Sequence, residues 1–166
     1  MALRIDVLAL LRSGTPRDID TLLESGVIRG TAPKQVSGDY AEYLVAAHSD
    51  GQLSERNNPG FDVVAGGGRR ISVKSRSVAA HYYNHISIRN YEARDFDYLV
   101  LVEFAADWTV ALARGMSWDD VPAISDYTTK VKGRDIIRFR RRGAWRTRGD
   151  LISLRALQER TRLLKD

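Results

Sequence analysis

The chain has 166 residues, a length that suits one domain with at most a small appendage, and its 43% hydrophobic content is enough for an ordinary buried core. It has no cysteine, which excludes disulfides, thiolate zinc sites and a cysteine nucleophile and leaves three histidines plus carboxylates for any zinc site. The net charge of +5 and the pI near 9.7 favour polyanionic partners such as nucleic acid.

The opening segment MALRIDVLALLRSG reads as an amphipathic helix over Leu3 to Arg12. Asp6 interrupts its apolar run and a charged leader is lacking, so it is not read as a signal peptide. No run reaches membrane-spanning length, and a cytoplasmic location is expected. Thr15-Pro16 is a start signal for a second helix, with Thr as cap and Pro in the first turn, running to about Glu24 and stopping at Gly26. Residues 1–36 form an N-terminal helical extension on this reading, and residues 37–166 the main domain.

A helix is predicted over Ser37 to Ser49, capped by Ser37, with Tyr40, Leu44, Val45 and Ala47 as its apolar stripe and Glu42 within it. Residues 50–60 are a loop by composition. Next comes GFDVVAGGGRRISVKSRS, residues 60–77, in which Phe61, Val63, Ile71 and Val73 alternate with Asp62, Arg70, Ser72 and Lys74. That alternation marks two strands with one apolar and one polar face. Gly66, Gly67 and Gly68 supply the positive φ values of a hairpin loop. With Ala65 paired to Arg69, Val63 falls opposite Ile71 and Asp62 opposite Ser72, while Lys74 shares the face of Ser72. The glycines lack the following Lys-Ser/Thr and helix of a phosphate loop, so a hairpin is the better reading.

Further on, Ile86 and Ile88 fit a short strand, Tyr98–Phe104 and Thr109–Ala113 are strands joined by a turn holding Asp107, and Ser117 caps a short helix. Asp135–Phe139 reads as a strand and Asp150–Leu164 as a last helix, with Leu154, Leu157 and Leu164 on its apolar side. Trp108 and Trp118 are expected in the core. His81, Tyr82, Tyr83 and His85 cluster after the hairpin and are read as interfacial or partly buried residues rather than metal ligands. Arg138, Arg140, Arg141, Arg142, Arg146 and Arg148 crowd one stretch around Trp145. A solvated charged strand and a phosphate-contacting patch fit that crowding equally.

A helix with Glu42, a strand opening on Asp62 and a second strand ending Ile71-Ser72-Val73-Lys74 together resemble the PD-(D/E)XK nuclease superfamily. FDYLVLVEFAADWTVALARGMSWDDV, residues 96–121, is similar to small bacterial members in which two further strands precede a helix. The resemblance covers about residues 37–122. It implies an α/β, restriction-endonuclease-like fold with a mixed central sheet of about four or five strands and helices on its faces. It also implies a DNA endonuclease dependent on Mg²⁺, with Mn²⁺ as substitute, set in a bacterial restriction or defence system.

The implied chemistry suits the residue types. Asp62 would be the central metal ligand and Glu42 would reach the same ion from its helix, because Mg²⁺ prefers oxygen ligands. The ion acidifies a water and polarises the phosphate. Lys74 would orient that water or neutralise charge developing on the phosphate. Ser72 departs from the pattern, where Glu, Asp or sometimes Gln is usual. A few restriction enzymes resemble this arrangement and draw the missing acid from elsewhere, here Glu42, Glu55 or Glu92, with Glu42 favoured by its helix. Arg76, Arg70, Arg140 and Arg142 are candidate DNA contacts. A chain this small carries one site, so cutting both strands implies a homodimer or higher oligomer. A junction-resolving or repair nuclease of the same fold, and an inactive DNA-binding module, remain open alternatives.

Overall fold

The computed structural model describes residues 3–55, 58, 60–77, 85–160 and 162–165. The elements run β1 (Leu3–Asp6), α1 (Val7–Ser13), α2 (Pro16–Glu24), α3 (Pro33–His48), β2 (Gln52–Leu53), β3 (Val63–Val64), β4 (Arg70–Ser77) and β5 (His85–Arg89). They continue with β6 (Tyr98–Phe104), β7 (Val110–Ser117), α4 (Val121–Ile124), β8 (Tyr127–Val131), β9 (Arg134–Arg140), β10 (Asp150–Leu151), α5 (Leu154–Arg160) and β11 (Arg162–Lys165). The fold is mixed α/β.

The central sheet has six strands in the order β10-β7-β6-β4-β3-β2. β4 and β6 pair in parallel, with Val73 beside Val100 and Lys74 beside Leu101, and the other neighbours are antiparallel. A second, three-stranded antiparallel sheet has the order β5-β9-β8. β1 pairs with β11.

Strand alternation sorts the core into two parts. Ile71, Val73, Val100, Val102 and Phe104 face α3 and pack with Tyr40, Ala41, Leu44 and Val45. Tyr40 and Leu44 are fully buried, each such side chain contributing roughly 1.5–3 kcal/mol. Leu99 and Leu101 point the other way, into a second cluster with Ile86, Ile88, Met116, Ile137, Phe139 and Trp145. The polar positions Ser72, Lys74 and Arg76 share that second face of β4.

Several expectations need correction. Residues 3–6 are a strand and not the start of a helix: Leu3 and Ile5 alternate with Arg4 and Asp6, and helix α1 starts only at Val7. Asp6 caps it, its Oδ1 accepting from the Leu8 and Ala9 amides at 3.0 and 3.3 Å. Helix α3 begins at Pro33, where proline suits the first turn, so Ser37 lies inside the helix and its hydroxyl donates to Lys34 O. The expected last helix is split into β10, α5 and β11. The central sheet exceeds the expected size because two-residue strands extend it, while the segments around Ile86 and Asp135–Phe139 belong to the second sheet. Trp108 and Trp118 are partly buried at the margins of the two clusters, whereas Trp145, expected within a charged patch, is fully buried.

α2 stands where Thr15-Pro16 placed it, with Gly26 at φ +74° beyond its end. The hairpin also has the expected register, Val63 against Ile71. Its loop uses positive φ at Gly68 alone. Gly68 N–H donates to Ala65 O at 2.8 Å, and Ala65 N–H donates to Arg69 O at 2.9 Å. A tight turn followed by a left-handed glycine is the usual three-residue hairpin loop.

Candidate active site

The hairpin register decides where the first three polar groups meet. Asp62 precedes β3, with its amide donating to Ile71 O at 2.9 Å, so its side chain projects over the polar face of β4. There Asp62 Oδ2 accepts from the Val73 amide at 2.6 Å and the Ser72 hydroxyl at 3.4 Å, and it lies 3.4 Å from Lys74 Nζ. The short amide contact is a charge-assisted hydrogen bond and fixes the carboxylate. Lys74 Nζ also donates to Val73 O at 3.0 Å. Among the described residues every donor converges on Oδ2, and Oδ1 accepts no hydrogen bond. Asp62 is 24% and Lys74 36% exposed in their side chains, so the pair is open to a ligand, whereas Ser72 is buried.

Glu42 reaches this pair from α3, on the flank of the helix away from Tyr40 and Leu44. Its side chain is only 13% exposed and ion-pairs through Oε2 with Arg29 Nη2. Burial, reinforced by the negative charges of Asp62 and Asp39, pushes the Glu42 carboxyl up to about 7, with Arg29 and Lys74 pulling the other way. Of the three candidate glutamates, Glu42 is the one set beside Asp62. Glu55 is exposed in the loop after β2, and Glu92 is exposed in the 3₁₀ turn Tyr91–Ala93.

Arg29 and Asp39 complete the cluster, and sequence reasoning passed over both. Arg29 sits in the connection between α2 and α3, a stretch without periodicity. Its amide donates to Asp39 Oδ2 at 2.6 Å, its Nε lies 3.5 Å from Asp39 Oδ1, and its Nη1 donates to Ser54 O at 3.3 Å. One side chain thus ties the α2–α3 connection, the flank of α3 and the loop after β2 into one wall of the site. Asp39 did leave a signal: it stands three residues before Glu42, which sets two acids on one helix flank.

Among the described residues no group of three or more His, Asp or Glu side chains is placed to hold a metal ion. The pair Glu42–Asp62 still fits Mg²⁺, which is commonly held through one or two carboxylates together with waters and substrate phosphates. Asp62 Oδ1 is the oxygen left for that purpose.

The remaining candidates are dispersed. Arg70 donates from Nε and Nη2 to the Asp97 carboxylate at 3.2 and 2.8 Å. Those bonds and the Arg70 amide hold the Asp97 carboxyl down to about 2. Arg76 lies two residues beyond Lys74 on the same face, but its side chain is only 11% exposed and lies 3.4 Å from Glu103 Oε2. Arg140 stacks over Tyr127 with Cζ 4.9 Å from the ring centre, and Arg142 is exposed in the turn after β9. His81, Tyr82 and Tyr83 lie outside the described residues. His85 is on β5 with Nε2 against Arg138 Nη1; burial and that guanidinium lower its pKa. No helix among the described residues is long and apolar enough to cross a membrane. No protein-family model and no curated protein matches the chain.

Proposed function

We propose that the protein is a metal-dependent DNA endonuclease of the restriction-endonuclease-like fold, cutting phosphodiester bonds at the cluster of Asp62, Lys74 and Glu42. The observation that carries this reading is the meeting of Asp62 and Lys74 at 3.4 Å beside the partly buried Glu42. Two oxygen donors and one cation are groups that metal-assisted hydrolysis of a phosphodiester uses, and they arrive from three separate segments.

Within that reading Glu42 and Asp62 hold Mg²⁺, or Mn²⁺ in its place. When bound, the ion supplies Lewis-acid charge and a more acidic water. Lys74 directs its half-exposed ammonium at a phosphate oxygen, where charge grows in the transition state. The Val73 amide and the Ser72 hydroxyl keep the Asp62 carboxylate from turning, so Oδ1 keeps one direction. The raised Glu42 carboxyl must release its proton before it can serve as a metal ligand. Ser72 adds no charge, and Glu42 serves as the second acid. Cutting both strands requires two copies of the chain, and a bacterial restriction or defence role is the setting that suits such an enzyme.

A binding module without catalysis is the second reading. It is favoured by the lack of a three-acid group among the described residues and by the engagement of Glu42 with Arg29. Incubating supercoiled plasmid with the protein and Mg²⁺ or Mn²⁺ separates the two. Nicking or linearisation that Asp62→Ala and Lys74→Ala both abolish supports the enzyme. Intact plasmid in the presence of folded wild type, or cutting that survives Asp62→Ala, overturns it. Discrete fragments mark a sequence-specific cutter, and selective attack on branched DNA marks a resolvase.

A further inference from the structure

A cleft of about 400 Å³ opens beside β5, β8 and the end of β9, lined by His85, Tyr127, Arg140, Arg141 and Arg142. Among the described residues no carboxylate lines it. Arg141 and Arg142 are exposed, and no acidic partner is found for either among the described residues. The Asp126 carboxylate stands behind the turn, its Oδ2 accepting from the Arg140 amide at 2.7 Å.

The turn carrying these arginines is held firmly. Trp145 is fully buried, and its Nε1 donates to Arg140 O at 2.8 Å. Gly143 N–H donates to the same carbonyl at 3.0 Å. Arg140 is stacked on Tyr127, and Arg138 is fixed by Thr129 Oγ1 at 3.0 Å and Ser87 Oγ at 3.2 Å. These bonds fix the backbone of the turn, so an entering anion has to order only the exposed side chains of Arg141 and Arg142.

The surroundings add positive charge. Glu103 is buried, accepts from Arg146 Nη1 at 2.8 Å and lies 3.4 Å from Arg76 Nε. Arg141 is close enough to repel Arg76. Lys74 and Arg76 are alternate residues on one face of β4. Cations therefore run from Lys74 through Arg76 to Arg141 and into the cleft.

We propose that this cleft is a second phosphate pocket, which grips the DNA backbone away from the Asp62–Lys74 pair and sets the strand on a fixed line across the protein. The assignment rests on DNA as the substrate. Backbone phosphates fit it, because guanidinium forks match phosphate oxygens bidentately and no carboxylate in the lining competes for them.

The test is anisotropy of a short fluorescein-labelled duplex without divalent cations, so that no strand is cut, across a series of salt concentrations. The double variant Arg141→Ala/Arg142→Ala is compared with Arg17→Ala/Arg155→Ala, which removes equal charge from exposed positions on α2 and α5. The pocket variant should bind about tenfold more weakly than the control, and its plot of log K against log salt should be shallower by about 2 than wild type. Equal affinity and slope in the two variants overturns the proposal, as does wild type that fails to bind the duplex. Binding that depends on Arg141 and Arg142 in a protein that never cuts plasmid sustains the pocket and refutes the nuclease. Asp62-dependent cutting with pocket and control variants binding alike does the reverse.

Discussion

Arg29 reaches Glu42 across the gap between the α2–α3 connection and the flank of α3, and it is the cation that lets a partly buried glutamate stand beside Asp39 and Asp62. Three carboxylates and two cations, Arg29 and Lys74, make up the cluster. The acids outnumber the cations by one, and burial and that imbalance are what raise the Glu42 carboxyl.

Removing the guanidinium should therefore be costly. Arg29→Ala leaves the partly buried Glu42 among like charges and deprives the Ser54 carbonyl of a donor. We expect a loss of roughly 2–3 kcal/mol in urea unfolding, below the range for a fully buried pair because Arg29 is a quarter exposed. Adding Glu42→Gln to Arg29→Ala should restore part of that loss. Equal stability of Arg29→Ala and wild type would refute this account of the cluster.

The raised Glu42 carboxyl makes stability depend on pH in a defined direction. Its folded value is about 7 against an ordinary 4.5, so between those limits the folded protein holds more protons than the unfolded chain. Stability from this group is present below 4.5 and declines as pH rises through 7. Unfolding free energies of wild type minus Glu42→Gln, measured over that interval, should fall with increasing pH and level off above it. Plasmid cutting should move the opposite way and rise with pH, because metal binding needs the carboxylate, and added Mg²⁺ should shift that rise to lower pH.

Ser72→Asp adds a third acid against Asp62. Without metal the new carboxylate is buried beside like charge, at the place where the serine hydroxyl lies 3.4 Å from Asp62 Oδ2, and we expect the melting temperature to fall. Added Mn²⁺ should raise the melting temperature of the variant by more than that of wild type. A variant indifferent to Mn²⁺ would argue against a metal at Asp62.

The hairpin loop gives a paired test of backbone strain. Gly68 has φ +79°, so Gly68→Ala should destabilise by about 1 kcal/mol. Gly67 lies outside the positive-φ set and a methyl group there meets nothing, so Gly67→Ala should be neutral or slightly stabilising. Thermal melts of the two variants should separate accordingly.

Local rules carried the reading of the hairpin. Strict alternation around three glycines specifies one register, and that register brings Asp62, Ser72 and Lys74 together before any distant contact is considered. Glu42 was legible from its place on a helix upstream. Arg29 was not, because a side chain from an aperiodic connection is placed by tertiary packing alone. The same limit explains Leu3–Asp6, where a period-two tetrapeptide runs straight into an apolar helix and its strand partner lies at the far end of the chain. It also explains the second sheet: Tyr127–Val131 is mostly exposed and polar, and only its pairing with β9 makes it a strand.

Arg29, Asp39, Glu42, Asp62, Ser72 and Lys74 all precede residue 78, which invites excision of a miniature catalyst. The parallel pairing of β4 with β6 forbids it. A chain stopped after Ser77 would keep α3 over Ile71 and Val73 but expose the whole hydrogen-bonding border that β6 covers, a template for edge-to-edge aggregation instead of a working fragment.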